Sequence, residues 1–247
     1  MRAQYEEYQA QIVSGKMSAE EARGLIGQLS VTPEPQFDEE DSPQYDLTGW
    51  LVADMVATAN QKRVNDIRYL MQFHQADPTH ISFFLGMAQT LDIFGPEGPK
   101  NVKEPIGGRL GKAVILCGED ECRWVDYSTP GNILFGYNMA HAEVPQDIYY
   151  WAAGALQTWD DWHDPDEAID WRRWVDGSVG DDPRDKAAVD FGVYLYEKHG
   201  LNLTEEDFKR ELTLSVLESL QPPPEGHEIT AHPEPQENQY EPGTFDN

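Results

Sequence analysis

The architecture turns on "DYSTPGNILFGYNMAHAE", residues 126–143. The stretch sets turn formers, small polar residues, aromatics, a histidine and two carboxylates between a segment that reads as strand and one that reads as helix. Pro130 and Gly131 break the strand ahead of Asn132, so the stretch is expected to be a loop that leaves a hairpin and displays reactive groups against rigid elements. Asn132 brings an amide suited to orienting a substrate or stabilising an oxyanion. His141 brings a side chain whose unperturbed pKa lies near neutrality, which suits proton transfer, and Asp126 and Glu143 are carboxylates on either side of it. The plainer alternatives are a simple Pro-Gly-Asn turn and a packed histidine.

Upstream, "KAVILC" and "CRWVDYS" read as two strands around the acidic turn "GEDE". Pairing 112–117 with 122–127 sets Cys117 and Cys122 opposite one another at bridging distance, which favours a disulfide or free thiols over zinc. "GWLVADMVATANQ", "VNDIRYLMQFHQ" and "HISFFLGMAQTLDIF" return apolar residues every three or four positions, so three helices between Leu47 and Phe94 are expected to build the core floor. "DPTH" is the expected start of the third, with an Asp cap and a first-turn proline. "GPEGPKNVKEPIGGRLG", residues 95–111, is expected to be a loop on its glycine and proline content.

Downstream, "PQDIYYWAAGALQTW" reads as helix, and Trp159, Trp162, Trp171 and Trp174 offer either core packing or a sugar-stacking surface. "GDDPRD" brings Asp181, Asp182 and Asp185 together. Closely placed carboxylates bind a hard cation or act as a base, whereas Asp182 as cap, Pro183 in the first turn and Asp185 at the third position describe a helix start. Residues 183–199 form an amphipathic helix through Ala187, Ala188, Phe191 and Leu195. "LTEEDFKRELTLSVLESL" forms another, capped by Thr204 with Asp207.

The 247 residues hold 18 Lys and Arg against 45 Asp and Glu, a formal charge of −27. Such a field repels phosphates and argues against nucleic acid as a partner. No apolar run has the length of a membrane span, and "MRAQYEEYQAQ" lacks the apolar segment of a cleavable secretory signal. Phosphate-cradling glycine loops, HExxH, GxSxG and paired CxxC motifs are all missing from the sequence, and neither cofactor nor metal is expected.

"GNILFGY", "AAGALQ" and "GDDPRDKAAVDFGVYLY", in that order, resemble the bacterial polymorphic toxin type 44 domain over roughly residues 112–200. The resemblance points to Asn132, Gly136, Tyr137, Gly154, Gln157, Asp181, Asp182 and Asp185. Leu134 and Phe135 stand where that family is expected to carry His-Tyr, so a histidine mechanism would have to use His141. The resemblance implies an effector delivered to a rival cell by a secretion-system carrier, without a cleavable signal peptide, and paired with a cognate immunity protein.

The expected architecture is α+β: a mainly α-helical single domain, residues 47–220, with a small β-hairpin. It is flanked by a helical N-terminal extension (1–30), a proline-rich acidic linker (31–46) and a disordered acidic C-terminal tail (221–247). The expected activity is hydrolysis of a glycan such as peptidoglycan, with His141, Asp126, Glu143, Asp181 and Asp185 as catalytic candidates and Asn132, Tyr137, Gln157 and Asp182 on the substrate. A ribonuclease using Arg109, Lys112, Arg172 and Arg173, and a non-catalytic acidic interaction protein, are the alternatives.

Overall fold

The computed structural model describes residues 46–74, 80–95, 98–146, 148, 183–223 and 241–246. The N-terminal extension, the linker up to residue 45, Gln157, the four tryptophans, Asp181 and Asp182 lie outside the described residues. The fold is mainly helical with one two-stranded antiparallel hairpin, as the sequence predicts.

In chain order come α1 (Thr48–Ala59), α2 (Lys62–His74), α3 (Ile81–Phe94), α4 (Lys103–Leu110), β1 (Ala113–Cys117), β2 (Cys122–Asp126), α5 (Thr129–His141), α6 (Pro183–His199), α7 (Glu205–Glu211) and α8 (Leu214–Ser219). β1 is apolar and buried at every position. It is pinned to the start of α1, where Leu47 N–H donates to the Ile115 carbonyl at 3.0 Å and Cys117 N–H to the Thr48 hydroxyl at 2.8 Å. In the hairpin register Cys117 faces Cys122, and the two are joined as a disulfide.

The 126–143 stretch is not a loop. Residues 129–141 form α5, a helix buried on nearly every side, from Thr129 and Pro130 through Leu134 and Tyr137 to His141. Its sequence hides it for a physical reason: a helix packed all round needs no polar face and so shows no apolar stripe. Pro130 lies in the first turn, where the missing N–H has no partner to lose.

α5 and α6 run parallel, since Asn132 meets Asp185, Gly136 meets Val189 and Tyr137 meets Tyr196. The glycines are the contact. A Cβ on Gly136 would overlap the Val189 carbonyl oxygen, and one on Gly192 would overlap the Ile133 carbonyl and stand 2.8 Å from the Tyr137 nitrogen.

The expected 95–111 loop contains α4. Pro105 falls in its first turn, and Ile106 and Leu110 are buried, which outweighs the glycines' poor propensity. Gly107 admits the Tyr127 ring, which a Cβ there would meet at 2.8 Å. α3 begins at Ile81, after His80 in a left-handed conformation, and the expected Asp cap lies outside the described residues. The helix predicted over 203–220 is two helices. Thr204 and Asp207 form the predicted capping box on α7, and Thr213 caps α8, its hydroxyl accepting from Val216 N–H.

Two further differences are larger. α3, expected in the core floor, sets Ile93 and Phe94 in the core with Phe83 and Met87 packed against it, but turns Ile81, Phe84, Leu85 and Leu91 to solvent and buries the small residues Ser82, Gly86 and Thr90. Periodicity marks a face of a helix without saying what covers it. The tail was expected to be disordered, yet residues 241–246 dock: Phe245 is fully buried edge-on to Trp50, with ring centroids 4.9 Å apart. Arg109 donates to the Thr244 carbonyl at 2.7 Å, and Lys100 reaches Asp246 at 2.6 Å. A single aromatic in a polar tail thus buries an area that aliphatic content alone does not reveal.

Candidate functional site

The predicted site residues separate into three places. At the N-terminal ends of α5 and α6, the Asn132 amide donates to the Asp185 carboxylate at 2.7 Å. Asn132 is buried and Asp185 half-buried, so the pair lies at the edge of the core. Two parallel helices begin here, and their aligned peptide dipoles favour an anion at this end. The side chain of Lys103 lies against Gly131, one residue before Asn132, with its Cγ 3.0 Å from where a Cβ would stand. Asp185 therefore has both a structural part, complementing the start of α6, and a side chain oriented by a neutral amide.

His141 sits at the other end of α5. It is nine residues beyond Asn132 on one helix, which is about 14 Å of rise and half a turn of rotation. The two cannot act on one substrate atom. Both ring nitrogens of His141 are engaged: Nδ1 lies 3.1 Å from the Tyr196 hydroxyl and Nε2 3.3 Å from Asn65 Oδ1.

The Asn65 amide orientation is fixed because its Nδ2 donates to the Ala59 and Gln61 carbonyls at 3.1 and 3.0 Å. Nε2–H of His141 is then the donor to Asn65, and Nδ1 accepts from Tyr196. Burial, reinforced by the Arg68 charge, pulls the His141 pKa below its ordinary value against an opposing pull from Glu143. A buried neutral imidazole with both nitrogens occupied ties α2, α5 and α6 together and has no site left for substrate.

This geometry sets a pH dependence. With its folded pKa below the ordinary 6.5, His141 is neutral in both states at higher pH and costs nothing. As pH falls below 6.5 the unfolded chain takes up the proton first, so stability declines toward the folded pKa. Urea midpoints measured from neutral pH downward should fall in wild type and fall less in His141→Gln; equal slopes would refute the role.

Glu143 closes α5. It holds φ 56° where glycine is usual, with Glu143 N–H donating to the Ala140 carbonyl and Val144 N–H to that of Met139. Its carboxylate accepts from Arg68 at 2.7 and 2.9 Å and from Gln72 at 3.0 Å. Partial burial raises its pKa, but the Arg68 and Gln72 hydrogen bonds outweigh that and hold the carboxyl below its ordinary value. Tyr137 belongs to this end too: fully buried, it donates its hydroxyl to the Gly200 carbonyl at 2.5 Å, and burial with the neighbouring Tyr196 pushes its pKa far up. It is core and does not face a substrate.

Asp126 ends β2 just before α5, where Asn132 N–H also donates to the Ser128 carbonyl at 3.1 Å. The Asp126 carboxylate accepts from Ser128 N–H at 2.8 Å and shapes the turn into α5.

Asn65, Arg68, Gln72, Tyr196 and Lys103 were not singled out from sequence. The first three recur at helical spacing along α2, a polar stripe that was legible, and Tyr196 falls inside "GVYLY". Nothing local marks Lys103.

Of the proposed phosphate-binding cations, Arg109 is engaged by Thr244 and Phe245, and Lys112 lies over the Tyr127 ring at 4.9 Å. Arg172 and Arg173 lie outside the described residues. Among the described residues no group of three His, Cys, Asp or Glu is placed to hold a metal ion, and no helix is long and apolar enough to cross a membrane. No family model, curated protein or solved structure matches the chain.

Proposed function

We propose that the protein is a hydrolytic effector of the toxin 44 kind, and that its working carboxylate is Asp185. The observation that carries this reading is the 2.7 Å hydrogen bond from Asn132 to Asp185 at the joint N-terminal ends of α5 and α6. A carboxylate in that position complements the helix dipoles, and a buried amide orients its side chain. It serves as general base or nucleophile, with Asn132 as its positioning residue. Asp181 and Asp182, which precede Asp185 in sequence, are the candidates for the second carboxylate that glycosidic cleavage requires. His141, Glu143 and Asp126 are assigned structural roles.

A glycan such as peptidoglycan is the favoured substrate. The formal charge of −27 disfavours a polyphosphate, and Arg109 and Lys112 are occupied elsewhere. Delivery by a secretion-system carrier and neutralisation by a cognate immunity protein belong to the same proposal.

Expression in a bacterial host tests it. Targeting to the periplasm should arrest growth, cytoplasmic expression should not, and Asp185→Asn should restore colony counts by about 100-fold or more while far-UV circular dichroism stays unchanged. Arrest from the cytoplasm would support a ribonuclease instead. Full toxicity of a folded Asp185→Asn variant would remove the assigned chemistry, and no arrest in either compartment would leave a binding protein.

A further inference from the structure

We infer that the pocket seating residues 241–246 is a peptide-recognition site, and that it takes from a partner protein a short acidic segment of the same chemistry, a glycine turn followed by Phe-Asp. The inference is independent of the proposed enzymatic activity.

The receptor half is held in place by residues outside the segment. Trp50 and Asp54 stand one turn apart on α1, and Lys100 N–H donates to the Ile93 carbonyl at 2.9 Å, which fixes the turn that carries the lysine. The Lys100 and Asp54 side chains, 2 and 0 % exposed, pair at 3.1 Å and offer an arriving chain one acceptor and one donor. Asp54 Oδ1 accepts from Gly243 N–H at 2.7 Å, and the Lys100 ammonium donates to Asp246 at 2.6 Å. From α4, Arg109 donates to the Thr244 carbonyl at 2.7 Å and sets its guanidinium over the Phe245 ring, 5.6 Å from the centroid. The opposite edge of the seat is Trp50.

The ligand half is a linear motif. All of these contacts come from four consecutive residues, Gly243 to Asp246, and the segment makes its own turns. Thr244 N–H donates to the Glu241 carbonyl and Asp246 N–H to that of Gly243, each at 3.1 Å, around Gly243 at φ 81° where glycine is favoured. A short segment that carries its turn and its determinants together docks equally well when another chain supplies it. A buried ion pair is a weak source of stability beside apolar packing of the same volume. Here it reads an N–H and a carboxylate that an apolar floor could not tell apart, so its use is discrimination.

Charge and tethering choose the occupant. Two copies, each of formal charge −27, repel, whereas a short segment brings few charges and meets Lys100 and Arg109. Each copy also holds its own segment at an effective concentration on the order of 1 mM. A segment docked in about 99 of 100 molecules then has an intrinsic dissociation constant of about 10 µM, so exchange between dilute copies gains nothing. The resident segment sets the threshold that a partner must exceed.

Calorimetric titration of the full chain with the capped hexapeptide Glu-Pro-Gly-Thr-Phe-Asp is the test. Phe245→Ala, which opens the aromatic seat, should bind it one-to-one with a dissociation constant of about 10 µM, and wild type about 100-fold more weakly because its own segment competes. Asp246→Asn loosens the segment with Phe245 kept, and should bind about 10-fold more tightly than wild type; it serves if Phe245→Ala disturbs folding. The hexapeptide with Ala for Phe should not bind. No binding to wild type at concentrations up to about 10 mM overturns the inference whatever the variants do. Equal affinity for wild type and variants, or for the two peptides, overturns it as well. So does a wild-type dimer at micromolar concentration that Phe245→Ala abolishes, which would make a second copy the occupant.

Discussion

Gly136→Ala should cost the fold about 3 kcal/mol, the upper part of the range for forcing an extra methyl into a packed interior. On propensity alone the change gains about 1 kcal/mol, because alanine is the better helix former. The contact decides the sign. The added methyl would overlap the Val189 carbonyl oxygen, which belongs to the α6 backbone and cannot rotate away as a side chain would. The two helices must part, and Gly192, which seats on the Ile133 carbonyl, loses its fit in the same movement.

Gly192→Ala should therefore behave alike, and the two changes should be less than additive, since the first has already opened the shared contact. Gly108 supplies the control. It is also helical, but nothing lies within 4 Å of its Cβ position, so Gly108→Ala should stabilise by about 0.5–1 kcal/mol. Urea denaturation at constant m-value measures all three. A Gly136→Ala variant as stable as Gly108→Ala would show that α5 and α6 do not touch as described.

The second large effect is expected at Lys100. Its ammonium donates to Asp54 at 3.1 and 3.3 Å and to Asp246 at 2.6 Å. The Lys100 and Asp54 side chains are 2 and 0 % exposed. Asp54 also accepts from Gly243 N–H at 2.7 Å, so the ion pair is the anchor of the docked 241–246 segment. Lys100→Ala leaves a buried carboxylate without its cation, and breaking a buried pair from one side costs about 3–5 kcal/mol.

Loss of Phe245 from its pocket should cost a comparable amount, about 3–5 kcal/mol for a fully buried phenylalanine. The double variant should fall short of the sum because both act through the same segment. Amide hydrogen exchange separates this from general destabilisation: in Lys100→Ala the Gly243 amide should lose protection before the α5 amides do. Simultaneous loss in both places would mean that the segment is not a separate latch.

Legibility followed how local the cause was. The helix from 183 to 199, the Thr204–Asp207 cap, the hairpin register and the opposed cysteines were all readable, because each rests on spacing within a few residues. α5 was misread because its burial on all sides removes the amphipathic stripe, and because its glycine serves a helix 50 residues away in sequence. The α3 periodicity marks an apolar helix that does reach the core through Ile93 and Phe94, but it carries no address for Ile81, Phe84, Leu85 and Leu91, which stay exposed.

The candidate site divides in the same way. Asn132 and Asp185 stand in separate motifs of the sequence, 53 residues apart, and their 2.7 Å contact is a product of the fold. That His141 lies on the opposite side of the same helix was implicit in the spacing, but only once the stretch was known to be helical.

Secondary elements with local signals, the charge and the inventory of reactive groups are all legible in the residues alone. Tertiary structure alone decided which groups meet: Asp185 with Asn132, His141 with Asn65 and Tyr196, Lys100 with the chain's last residues. The physical reason is that these contacts are selected by packing between segments far apart in the chain. Their free energy depends on burial that no single segment encodes.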